Sequence, residues 1–93
     1  MSDVENLLID GERVPAAEGA TFETVNPANG EVFRTVAQAG PQDADRAVRA
    51  AARAFEDWGS RTPVQRAKVL YRWADLIGEH ADELALIETR DMG

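Results

Sequence analysis

The stretch Thr24-Val25-Asn26-Pro27-Ala28-Asn29-Gly30-Glu31, TVNPANGE, decides how the first third of this chain is read. Four of its residues, Asn26, Pro27, Asn29 and Gly30, are turn formers, and no regular element runs through them. β-prone runs lie on both sides: Thr21-Phe22-Glu23-Thr24-Val25 before, and Glu31-Val32-Phe33-Arg34-Thr35-Val36-Ala37 after. The stretch therefore reverses the chain between two strands. Asn26 precedes a proline and is pushed to extended backbone. Pro27 fixes φ for the corner, and Asn29-Gly30 is expected to supply left-handed positions. The corner is longer than a minimal hairpin needs. An asparagine–proline corner also leaves backbone carbonyls facing outward, where a partner can reach them.

Working outward toward the N-terminus, Leu7-Leu8-Ile9, Asp10-Gly11 and Glu12-Arg13-Val14 predict a second hairpin. The Asp-Gly pair suits a type I′ turn, in which both central residues take positive φ. Pro15 ends that pairing because it has no N–H to donate. Ala16 to Ala20 is expected to be a loop.

Toward the C-terminus the pattern turns helical. Gly40-Pro41-Gln42-Asp43 predicts a start, with proline at the first helical position and an acid in the first turn. Ala44, Ala47, Val48, Ala51, Phe55 and Trp58 recur at spacings of three and four, and predict the buried stripe of an amphipathic helix ending at Gly59. Thr62-Pro63-Val64-Gln65 is a capping box and opens the next helix. There Ala67, Leu70, Ala74 and Ile77 form one seam, and Val69, Trp73 and Leu76 form another beside it. A helix apolar over so much of its girth is usually covered on more than one side. A break is expected near Gly78–Ala81, then a last helix from about Asp82 carrying Leu84 and Ile87. The fold class is thus an α+β segment: two β-hairpin-like strand pairs followed by two to three helices.

The totals narrow the function. The 93 residues carry a net charge of −7, which argues against nucleic acid and anionic membranes as general partners. That charge is uneven: residues 1–43 sum to −6, residues 44–72 to +4 and residues 73–93 to −5. No cysteine is present, which excludes disulfides, thiolate metal sites and a cysteine nucleophile within these residues. No apolar run approaches the roughly 18 residues that span a bilayer. The acidic start, MSDVENLLID, resembles neither a signal nor a transit peptide. A cytoplasmic location is expected.

Chemistry-bearing motifs are few. The single histidine, His80, has no histidine or cysteine companion and is expected to face solvent near a helix end. The glycines form neither GxGxxG nor GxxxxGK[ST]. Glu56-Asp57 and Asp82-Glu83 are adjacent, and adjacent helical residues do not face each other. Two other readings stay open at this point. The middle helices, with Arg46, Arg49, Arg53, Arg61, Arg66, Lys68 and Arg72, resemble a helix–turn–helix DNA binder, although Leu70, Tyr71, Trp73 and Leu76 leave the second helix little to offer base edges. Trp58, Tyr71 and Trp73 equally fit a small helical interaction module.

The order of four motifs is distinctive: xVNPAxGE, AxxAFxxW, RTPxxRAxVL and a final ETxDxG, preceded by LLIDGERV. Together they cover essentially the whole chain and resemble the N-terminal segment of the aldehyde dehydrogenase superfamily. The resemblance implies that residues 1–93 are the truncated N-terminal part of a cofactor-binding, Rossmann-like domain in an α/β fold, since family members are several times longer. It implies NAD(P)-dependent oxidation of an aldehyde to a carboxylic acid. A cysteine thiolate attacks the aldehyde, hydride passes to the nicotinamide of NAD or NADP, and a glutamate activates water. No residue of this chain matches those parts, so the chain alone is expected to be inactive. The implied partners are an aldehyde substrate, the remainder of the dehydrogenase domain, which Trp58, Tyr71 and Trp73 would partly face, and further copies in a homo-oligomer; nucleic acid and membrane are not among them.

One site carries over. In several family members a monovalent cation is held by backbone carbonyls at positions matching Thr24 and Val25 and by the aspartate matching Asp91. Hard cations take oxygen ligands, which suits that set. Where the family often reads LDNGK, this chain has Arg90-Asp91-Met92-Gly93.

Overall fold

The computed structural model describes residues 4–93. Both expected hairpins form. Strand β2 (Leu7–Ile9) pairs antiparallel with β3 (Glu12–Val14), with Leu8 opposite Arg13. Asp10 (φ 55°) and Gly11 (φ 75°) both take positive φ, as a type I′ turn requires. Strand β4 (Thr21–Val25) pairs antiparallel with β5 (Val32–Ala37). The register slips between Thr24 and Val25, so that Thr24 faces Arg34 while Val25 faces Val32. The extra residue on β5 makes this a β-bulge beside the corner.

A strand that the sequence pattern does not predict completes the sheet. β1 (Val4–Glu5) lies parallel to β5, with Val4 opposite Thr35, giving the order β1-β5-β4. Glu5 ties the two sheets together. Its carboxylate is 2.9 Å from Arg34 Nη1 on β5 and 3.5 Å from Arg13 Nη1 on β3.

Three helices come next: α1 (Pro41–Ser60), α2 (Pro63–Glu79) and α3 (Ala81–Met92). Pro41 stands at the start of α1, as expected. Gly59 does not end α1. It lies inside the last turn, where a Cβ would stand 3.2 Å from Phe55 Cε1, so its bareness makes room for the Phe55 ring one turn earlier. The stop comes from Arg61 and Thr62, both extended. Pro63 excludes the helical region for Thr62, and an N-cap residue needs extended backbone anyway. The capping box forms in full. Thr62 Oγ1 accepts from the Gln65 amide at 3.2 Å, and Gln65 Oε1 accepts from the Thr62 amide at 2.9 Å. Thr62→Ala is expected to weaken this end by about 1 kcal/mol. That corresponds to roughly fivefold faster hydrogen exchange at the Gln65 amide; an unchanged rate would show that the box contributes nothing. Gly78 stays helical, and the break falls at His80, which alone separates α2 from α3.

Which faces are buried differs from the expectation. On α1 the buried residues are Asp43 and Ala50, while Val48 and Phe55 of the expected stripe are exposed. The side of α1 toward the β2–β3 hairpin is lined by Ala47, Ala50, Ala51 and Ala54, facing Leu8 and Ile9. Neither seam of α2 is covered: Val69, Leu70, Trp73, Leu76 and Ile77 are all exposed, Trp73 at 61 %. The buried set among the described residues is three alanines, Ala16, Ala37 and Ala50, and one acid, Asp43. No large side chain among them is fully buried. The radius of gyration is 16.6 Å, against about 12 Å for a compact domain of this length. The accessible surface is 7468 Å², roughly 2,000 Å² above that of a compact protein of this mass. Strands and helices are well formed here, but among the described residues the large apolar side chains of α2 and α3 are left uncovered.

Candidate functional site

The corner between β4 and β5 is held by its own side chains. The Asn26 amide donates to the Glu31 carbonyl at 2.9 Å and closes the loop. The Asn26 carbonyl accepts from Gly30 at 2.8 Å and from Asn29 at 3.3 Å, while Asn26 Oδ1 accepts from the Ala28 amide at 3.0 Å. Asn29 Oδ1 accepts from the Glu31 amide at 2.9 Å. Only Gly30 takes positive φ (72°); Asn29, expected there as well, does not, and acts through its carboxamide instead. The eight-residue corner is therefore a pair of asparagine-closed turns stacked on a bulge, which explains its length.

The end of α3 arrives at this corner, more than sixty residues later in the chain. Gly93 (φ 83°) caps α3 by donating to the Thr89 carbonyl at 2.8 Å. A Cβ on Gly93 would lie 3.1 Å from Pro27 Cβ and 3.3 Å from the Ala28 nitrogen. Arg90 lines a cleft of about 190 Å³ together with Asn26, Asn29, Glu31, Val32 and Phe33. Asp91 lies between these two contact points in sequence and is exposed, and its carboxylate makes no hydrogen bond or ion pair among the described residues. Thr24 is half-buried, with its hydroxyl 3.5 Å from the Arg34 carbonyl, and Val25 stands at the bulge. Among the described residues no group of three His, Cys, Asp or Glu side chains could hold a metal ion. Neither Arg90 at the cleft nor Gly93 against Pro27 is readable from the sequence, because both depend on where α3 ends up.

His80 is exposed, as expected, and its Nδ1 lies 3.1 Å from Glu83 Oε2. Asp57, Trp58 and Arg61 brace the joint between α1 and α2. Arg61 Nη2 donates to Asp57 Oδ2 at 2.9 Å, and its guanidinium sits 5.9 Å from the Trp58 ring centroid.

Asp43, expected only to complement the helix dipole, is instead 2 % exposed and fully partnered. Its carboxylate accepts from the Gly40 amide at 2.9 Å, from the Ala17 amide at 3.0 Å, and from Arg46 Nη2 at 2.6 Å. The Gly40 amide and the Arg46 guanidinium, with help from Ala17, hold its pKa below the ordinary 3.8, against the opposing effect of burial. A carboxylate with a lowered folded pKa contributes stability that is complete above its unfolded value and is lost as pH falls through the folded one. The Ala17 and Gly40 amides should therefore stay protected from neutral pH down to 3.8, and open only below it. Exchange-rate profiles against pH, corrected for intrinsic exchange, measure this; opening at about pH 5 to 6, above the unfolded pKa, would contradict the assignment.

Comparison with known proteins identifies the family of this chain. Residues 14–93 match the model of the aldehyde dehydrogenase family. DhaS of Bacillus subtilis (strain 168), a putative aldehyde dehydrogenase by name, is 45 % identical over 95 residues, covering 100 % of this chain and 19 % of DhaS. The NAD+ complex of an aldehyde dehydrogenase from Bacillus cereus superposes with a TM-score of 0.88 at 46 % identity, over 92 % of this chain and 18 % of that one. Betaine aldehyde dehydrogenase from Staphylococcus aureus, solved with NAD+, gives 0.88 at 43 % identity, over 94 % and 18 %. The chain thus spans about a fifth of the length of the relatives it matches.

Proposed function

This chain belongs to the aldehyde dehydrogenase family, and from that premise we propose that it serves as the N-terminal, non-catalytic part of an NAD-dependent enzyme that oxidises an aldehyde to a carboxylic acid. The observation that carries this reading is the bare apolar surface of α2 and α3 on a backbone that matches family structures closely. Apolar area of this extent in well-formed helices points to a covering partner. That partner is the remainder of a Rossmann-like cofactor-binding domain, and Trp58, Tyr71 and Trp73 lie at least partly beneath it. The two relatives solved with NAD+ favour NAD over NADP as the hydride acceptor. With no cysteine in its 93 residues, the chain has no thiol nucleophile of its own and depends on the rest of the enzyme for one. No helix among the described residues is long and apolar enough to cross a membrane. The complete enzyme, in this reading, is cytoplasmic, and the family resemblance implies a homo-oligomer.

Two measurements test this. The chain alone, mixed with NAD and a panel of aldehydes, should form no reduced nicotinamide. The coding sequence read past residue 93 should continue in frame to a cysteine flanked by glycines. Turnover by the lone chain, or a stop codon directly after Gly93, would remove the proposal.

The corner is part of the same reading, as a seat for a monovalent cation on the Thr24 and Val25 carbonyls and the Asp91 carboxylate. Support comes from the contacts of Arg90 and Gly93, which bring the end of α3 to the corner, and from the unpaired Asp91 carboxylate. In the complete enzyme, Asp91→Ala should weaken potassium or sodium binding by about tenfold or more, since a charged ligand contributes on the order of 1.5 kcal/mol or beyond. Thermal midpoints with potassium replaced by a bulky organic cation, at constant ionic strength, read this out. An equal response in wild type and variant would exclude Asp91 as a ligand.

A further inference from the structure

Two of the three donors on Asp43, Gly40 and Arg46, belong to its own helix start, and any capping acid could use them. The Ala17 amide does not. It comes from the connection between β3 and β4, 26 residues earlier, and reaches both carboxylate oxygens, at 3.0 and 3.3 Å. A helix cap has no use for such a bond. We infer that Asp43 is a latch, fastening the β3–β4 connection to the first turn of α1 and thereby setting how the helical layer sits on the strands.

The packing around it shows why a latch is needed. The buried companions are Ala16 next to the latch, Ala37 at the end of β5 and Ala50 two turns along α1. Alanines do not interlock, and small apolar surfaces slide over one another at little cost. Directional hydrogen bonds to one buried charge supply the register that side-chain packing cannot. Only a carboxylate serves all three donors. It accepts at both oxygens, whereas the amide of asparagine would turn an NH2 toward one of the donors. The connection is shaped for the purpose as well. The Gly19 amide bonds back to the Ala16 carbonyl at 2.9 Å, and the Gln38 amide bonds to the Ala20 carbonyl at 2.8 Å, so Ala17 is presented from a fixed loop.

The test is residue-resolved hydrogen exchange in the intact protein. Asp43→Ala should speed exchange of the Ala17 amide by at least about tenfold, in line with losing a charge-assisted bond. The amides of Leu8 and Arg13 in the β2–β3 hairpin should keep their rates. Arg46→Ala, which leaves both backbone bonds in place, should move Ala17 far less. A role limited to capping α1 predicts the opposite pattern, with Gly40 accelerated and Ala17 untouched, and that result would overturn the latch. So would uniform acceleration across all measured amides, which would make Asp43 a general stability residue. If Asp43→Ala fails to fold, wild-type exchange at low pH decides: loss of Ala17 protection as pH falls below 3.8, with Leu8 and Arg13 unchanged, supports the latch, and retained Ala17 protection overturns it.

Discussion

Taken alone, residues 1–93 should bind a hydrophobic dye strongly and melt without a sharp transition, despite a helical far-ultraviolet spectrum. The reason is quantitative. Folding has to offset roughly 1–2 kcal/mol of backbone entropy per residue, and buried apolar surface is the main term against it. Among the described residues the buried apolar side chains are three alanines, while Trp73 and Tyr71 are 61 % and 74 % exposed. The roughly 2,000 Å² of excess surface exceeds what one partner contributes to a typical specific interface and falls in the range of obligate ones. Local hydrogen bonds, caps and i,i+4 ion pairs such as Arg49–Asp45 keep the helices populated without making them cooperative. Calorimetry together with near-ultraviolet circular dichroism checks the expectation. A narrow heat-capacity peak, rigid tryptophan signals and no dye binding would show a self-sufficient small protein, and the incomplete-enzyme reading would fall with it.

The second large effect is expected at Gly93. Its φ of 83° is costly for any residue with a Cβ, by about 1–2 kcal/mol. The added atom would also press on Pro27 at 3.1 Å, where both sides are backbone or a rigid ring and neither yields. Overpacking of this kind costs about 1–3 kcal/mol. Gly93→Val in the complete enzyme should therefore lose about 2–4 kcal/mol and detach the end of α3 from the corner. Gly78→Ala makes the matching control. That position is helical with nothing of this chain within 4 Å of an added Cβ, and alanine gains about 1 kcal/mol in helix propensity there. Denaturant midpoints of the two variants should move in opposite directions. Similar shifts for both would mean that α3 does not rest on the corner in solution.

How much is legible in the sequence depends on the range of each interaction. The Asp10-Gly11 turn, Pro41 at the start of α1 and the Thr62–Gln65 box are settled within four residues, and composition specifies them. β1 is invisible there, because two residues carry no periodicity and its partner Thr35 lies thirty-one positions away. The buried face of α1 is misjudged for the same reason. Val48 and Phe55 mark the apolar side, but the strands of this chain meet the alanine side, and the apolar side is left for another surface. Asp43 looks like an ordinary first-turn acid, since nothing local betrays a bond to Ala17. At the corner, the turn is legible from Asn26, Pro27 and Gly30. The approach of Arg90 and Gly93 is not, because it depends on the combined length of three helices. Thr24, Val25 and Asp91 come from family resemblance rather than from any pattern of their own.

Glu5 has one consequence for how this chain begins. The first strand is two residues long, and the partly exposed Glu5 carboxylate clamps it between the guanidiniums of two different sheets. Mobile ions compete with such solvent-facing pairs, whose reach shrinks to about 10 Å at 0.1 M salt. Brine and low-salt buffer should therefore seat the leading strand differently, with the sheet behind it unchanged.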